Sequence, residues 1–69
     1  MNNLSDILKY MNSYGLKAND LARICEINPS LMRQYALGIK QPGPKTIAKI
    51  NEKIRTFADE LKEFQITGA

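Results

Sequence analysis

From Ala18 to Leu37 the chain reads ANDLARICEINPSLMRQYAL. Its apolar and polar positions describe two short helices joined by a tight turn. At 3.6 residues per turn Ala18, Leu21, Ala22 and Cys25 share one face, and Asn19, Asp20 and Arg23 share the other. Glu26-Ile27-Asn28 breaks the rhythm and Asn28-Pro29 restarts it, since Asn is a good N-cap and Pro is pre-set for the first helical position. On the second helix Leu31, Met32 and Tyr35 cluster on one side. Ser30, Arg33, Gln34 and Leu37 line the other at i, i+3, i+4 and i+7. Gly38 is then free to take the left-handed conformation that closes a helix. An apolar-faced helix, a three-residue turn and a second helix with a polar face is the layout of a helix-turn-helix.

The flanks supply what two such helices cannot bury alone. Leu4, Ile7, Leu8 and Met11 repeat at helical spacing, with Asn3 or Ser5 as cap and Asp6 in the first turn. This first helix is expected to run to Ser13 or Tyr14, where Gly15 ends it and Leu16 follows as the apolar residue after the stop. Its role is to cover the helix-turn-helix. Beyond residue 38, Ile39-Lys40-Gln41-Pro42-Gly43-Pro44 is a restrained loop, and Gly43-Pro44 reads as the cap and first residue of another helix. From there Ile47, Ile50, Ile54, Phe57, Leu61 and Phe64 step by three and four, a heptad seam sustained for nearly three repeats. A straight helix from 44 to 64 is about 31 Å long. A head of about 40 residues covers only part of that length. Ile47, Ile50 and Ile54 are expected to pack on the first three helices. Phe57, Leu61 and Phe64 are left over. Either the chain breaks near Thr56 into a fifth helix that folds back onto the first, or these residues, with the small Ala58, meet a symmetry mate. The expected fold is all-α, a bundle of four to five helices in a single domain over residues 1–69.

Composition narrows the function. Sixty-nine residues with 43% hydrophobic and 25% charged content make one ordinary globular domain. No apolar run exceeds three residues, which excludes a signal-peptide core or a membrane span and implies a cytoplasmic protein. One Cys excludes an internal disulfide, and the absence of His removes the commonest general base and metal ligand. Cys25 lies on the buried face of its helix and reads as a core residue. None of the seven carboxylates pair toward a common cleft. No enzyme, cofactor or metal site is expected. The net charge is only +3, but its distribution is informative. Between Ile27 and Asn51 stand Arg33, Lys40, Lys45 and Lys49 and no acid. A basic patch around the second helix and its following loop is the footprint of polyanion binding.

Leu21-Ala22, Cys25, Ile27, Met32 and Tyr35, with Gly38, Lys40 and Pro42 after them, resemble position by position the phage-repressor and Cro-like (XRE-type) helix-turn-helix proteins. The resemblance covers roughly residues 4 to 55. It implies a lambda-repressor-like domain that binds double-stranded DNA as a small transcriptional regulator, with the helix from Pro29 to Leu37 in the major groove. Carried over, the base-reading positions fall on Pro29, Ser30 and Gln34. Pro29 offers apolar contact only; Gln34 suits adenine, and Arg33 beside it suits guanine or a phosphate. Asn19, Asn28, Lys40, Gln41 and Lys45 fall on backbone-holding positions. Proteins of this type usually pair on two-fold operators, which makes Phe57, Ala58, Leu61 and Phe64 the expected homodimer contact. The stretch Asn28 to Tyr35, with the Gly38 loop and the long helix, also looks like the DNA-binding domain of some HicB-type antitoxins, without the toxin-binding domain those carry. An interaction module acting through the seam is the alternative function.

The chain departs from the first family in three places. Glu26 stands where the family prefers Gly, at a backbone position that often needs a positive φ. A non-Gly residue there costs about 1–2 kcal/mol, so an altered turn is expected. Lys17 replaces a Thr or Ser cap, and Ala18 replaces a phosphate-contacting Gln.

Overall fold

The computed structural model describes residues 3–68, and those residues fold into four helices: α1 (Leu4–Asn12), α2 (Ala18–Cys25), α3 (Pro29–Ala36) and α4 (Pro44–Lys62). No strand is present among the described residues. Each start follows from local chemistry. Asn3 caps α1 by accepting from the Asp6 N–H at 3.0 Å, while the Asp6 carboxylate accepts from the Asn3 N–H at 3.0 Å. Lys17, before α2, has no capping oxygen, so only the reverse half remains: its N–H donates to Asp20 at 2.7 Å. At α3 the Asn28 side chain accepts from the N–H groups of Ser30 and Leu31, with Pro29 in the first turn. α4 begins on Gly43-Pro44, as its sequence predicts.

The first three helices end in the same way. A left-handed residue follows each, and the next N–H reaches back to the last turn: Leu16 to the Met11 carbonyl at 3.0 Å, Ile27 to Ala22 at 2.9 Å, Ile39 to Gln34 at 3.0 Å. Two of the left-handed residues are Gly15 and Gly38, which have no Cβ to crowd the carbonyl. The third is Glu26, with φ 56°. The expected alteration of the turn is therefore corrected: Glu26 adopts the conformation glycine would take. Two lysines on α4 brace it there. Lys49 donates to the Glu26 carbonyl oxygen at 3.0 Å, and Lys53 pairs with its carboxylate at 2.7 Å.

The core draws on all four helices. Leu8 and Met11 of α1, Leu21, Ala22 and Cys25 of α2, Met32 of α3 and Ile50 of α4 are buried, with Leu4, Ile7, Ala18, Ile24, Ile27, Tyr35 and Ile54 partly buried around them. α2 packs on α3 and on α4, and α1 packs on α3. The inward faces predicted for α2 and α3 are the ones that face the core.

Three boundaries and one packing expectation are corrected. α1 stops at Asn12, because the N–H groups of Tyr14 and Gly15 bond three residues back, to the carbonyls of Met11 and Asn12, and not four. α3 stops at Ala36, with Leu37 as its C-cap. α4 stops at Lys62, since Glu63 and Phe64 bond three residues back and not four. It is one helix without a break at Thr56, so among the described residues no fifth helix returns to α1. Ile50 and Ile54 pack inward as expected, but Ile47 is half exposed. It borders a cleft of about 630 Å³ between the start of α1, the end of α3 and the loop before α4. α4 runs on past the head, giving the molecule extents of 48 × 24 × 24 Å. No helix among the described residues is long and apolar enough to cross a membrane.

Candidate nucleic-acid interface

α3 exposes the face that its sequence assigns to solvent. Pro29, Ser30, Arg33, Gln34 and Leu37 are all exposed, whereas Met32 on the opposite side is fully buried. The burial of Met32 sets the rotation of α3, so the outward direction of Arg33 and Gln34 follows from packing and not from any preference of their own. With eight residues α3 is about 12 Å long. The three-residue turn 26–28 holds it against α2, and the lysine brace on Glu26 holds that turn against α4.

Arg33 is the most constrained polar side chain on this face. Its guanidinium donates to the Asn19 side-chain oxygen on α2 at 2.8 Å and to the Ser30 hydroxyl at 3.1 Å. Both partners are neutral. The ion pairs among the described residues are Arg23–Asp20, Lys53–Glu26 and Lys62–Asp59, so the positive charges of Arg33, Lys40 and Lys45 have no acidic partner within salt-bridge distance. Lys40 and Gln41 are exposed in the loop after α3, where the Lys40 N–H bonds back to the Gln34 carbonyl at 3.3 Å. Gln41 borders the cleft. Lys45 is exposed in the first turn of α4. Asn28 is committed through its oxygen to the α3 cap, a role that does not use its amide N–H₂ donors.

Of the residues assigned to one site by sequence, Asn19, Ser30 and Arg33 form a single hydrogen-bonded group, and Asn28 and Lys40 are tied to the two ends of α3. Lys49 is a correction to the basic patch. Its ammonium is spent on the Glu26 carbonyl, behind the turn. The bond to Lys53 holds the Glu26 carboxyl below the usual carboxylate range and pushes the Lys53 ammonium up. Burial pushes the Cys25 thiol up, against the opposing pull of Lys49 and Lys53. Among the described residues no three Cys, Asp or Glu side chains gather as a metal-ligating group. Phe57, Ala58, Leu61 and Phe64 lie toward the far end of the chain and are exposed, Phe64 to 77%.

Sequence reasoning missed two features here. The Asn19–Arg33 contact joins residues 14 apart on different helices and has no signal in the chain. The lysine brace has a weak one: Lys49 and Lys53 are four apart and therefore share a face of α4. Comparison with protein-family models, with curated proteins and with solved structures gives no match.

Proposed function

We propose that this protein binds double-stranded DNA sequence-specifically as a small transcriptional regulator, with α3 lying in the major groove. A major groove about 12 Å wide admits one helix, and its base edges distinguish all four pairs. One observation carries the reading: the exposed face of α3 presents hydrogen-bonding side chains beside three cations that no acid neutralises. A solvated surface helix needs no such imbalance, whereas a phosphate backbone is its complement. In this reading Pro29, Ser30 and Gln34 face base edges, and Arg33 beside them donates to guanine or to phosphate. Asn19, Asn28, Lys40, Gln41 and Lys45 hold the backbone. The protein belongs with the Cro-like helix-turn-helix proteins it resembles and works in the cytoplasm as a homodimer.

A second reading rests on the other end of the chain. Phe57 and Leu61 are exposed on a helix that outruns its own core and Phe64 is exposed just after it, which also suits an interaction module without DNA, of the antitoxin-related kind.

Selection of bound sites from a random duplex pool, followed by salt titration of the best site, tests the first reading. A protomer that neutralises about four phosphates gives a slope of log K against log salt near −3.6, and a dimer about twice that. Lys40→Ala weakens binding to every sequence alike and flattens the slope by roughly one unit. A flat titration, or no duplex binding at low salt, overturns the DNA reading and leaves the seam as the functional surface.

A further inference from the structure

Building on the DNA reading, we infer that Arg33 is a phosphate anchor and not a base reader, that Asn19 is its positioning residue, and that Gln34 carries base selection on α3. Three observations lead there. First, the guanidinium is drawn sideways off the axis of α3 onto α2 by its 2.8 Å bond to Asn19. In helix-turn-helix docking the first of the two helices crosses the sugar-phosphate backbone, while the second enters the groove. A side chain tied to the first helix is thereby aimed at the strand and away from the groove floor.

Second, the tether leaves the charge intact. The neighbouring Arg23 is paired with Asp20 at 2.5 Å, and Lys53 is paired with Glu26. Arg33 has only the amide oxygen of Asn19 and the hydroxyl of Ser30. Two of its five N–H groups are used, and three remain for an oxyanion. Third, the same bonds engage Ser30, whose oxygen already accepts from Arg33. Gln34, exposed on the next position of the stripe, makes no side-chain hydrogen bond among the described residues. Its amide keeps both donor and acceptor for a base edge, the pairing that suits adenine.

The test compares the parent with Arg33→Ala, Arg33→Lys, Asn19→Ala and Gln34→Ala, each selected on a random duplex pool and titrated with salt. All three positions are exposed, and a thermal melt followed by circular dichroism checks that each variant is folded. Arg33→Ala is expected to select the parent's motif, to weaken all sequences alike, and to flatten the salt slope by about 0.9 per protomer. Arg33→Lys keeps both the motif and the slope, because an ammonium serves as a point charge on phosphate but not as a bidentate guanine reader. Asn19→Ala keeps the slope and the motif while lowering affinity for every sequence. Gln34→Ala alone relaxes one base pair. The inference is overturned if Arg33→Lys or Arg33→Ala loses preference at a single base pair while the salt slope stays at the parent's value. A parent protein with no salt-dependent duplex binding overturns the DNA reading itself, and this inference with it.

Discussion

Glu26 shows how a residue that breaks a local preference is carried by its surroundings. A left-handed backbone disfavours a side chain with a Cβ, yet Glu26 holds φ 56° with Lys49 on its carbonyl and Lys53 on its carboxylate. The pair has a defined pH behaviour. Lys53 holds the Glu26 carboxyl below its ordinary range, so the folded state binds that proton more weakly than the unfolded chain does. The resulting stability is present above the ordinary glutamate value of about 4.3 and is lost as pH falls through the lowered folded value. For Lys53, pushed up by the same bond, the contribution is present below the ordinary lysine range and lost above the raised value. Urea midpoints of the parent and Glu26→Gln should therefore differ most near neutrality and converge in acid; a gap independent of pH would show that the pair does not form. Glu26→Gly should raise the midpoint at unchanged m-value, since it relieves the left-handed strain at the loss of an exposed ion pair. Gln34 belongs to the same scale. Its truncation to Ala is expected to cost about 1–3 kcal/mol at one base pair of the selected site and nothing at the others.

At the scale of the element, α3 is a short helix whose formation depends on its ends. Eight residues are too few to be helical alone in water, so the cap, the proline and the buried Met32 must act together. Asn28 satisfies two of the orphan N–H groups through one side-chain oxygen. Asn28→Ala is expected to lower fold stability by about 0.5–2 kcal/mol, and Asn28→Ser to restore most of it, as read by chemical denaturation. α4 is the opposite case. Its 19 residues and unbroken seam propagate past the head because no Gly or Pro stops them, and neither packing nor capping is needed at every turn. The seam then exceeds what the other three helices bury: Ile50 is 4% exposed, Phe57 46% and Leu61 59%.

At the scale of the whole molecule that gradient points outward. The apolar side chains of distal α4 face solvent, and Tyr10 of α1 and Tyr14 in the turn after it, 66% and 70% exposed, stand edge-to-face with ring centroids 5.3 Å apart. A lone recognition helix contacts few base pairs, and a two-fold pair doubles the site. The expected assembly is a symmetric homodimer through residues 54 to 65, with the two copies of α3 about 34 Å apart on a palindrome. Leu61→Asp and Phe64→Asp should each give a folded monomer with weaker operator binding. Sedimentation of the parent at tens of micromolar (about the range where specific dimers persist) checks it directly, and a monomeric parent would refute it.

The four helices were legible in the chain because amphipathic spacing, Asn and Pro caps and left-handed stops act within a few residues of one another. The inward faces of α2 and α3 were legible for the same reason: Leu21, Cys25 and Met32 sit at positions that helical periodicity alone sends to one side. What lay beyond a single turn was not legible. That Glu26 keeps a glycine's conformation depends on lysines 23 and 27 residues further on. That Lys49 leaves the basic patch and Arg33 reaches Asn19 depends on how α2, α3 and α4 dock. The exposure of Ile47 at the cleft and of the seam beyond Ile54 depends on where the head ends. Local backbone and side-chain preferences decide which helices form and which face turns inward. Only the packed arrangement decides which charges are spent on the fold and which stay free for a partner, because that depends on distances between residues far apart in the chain.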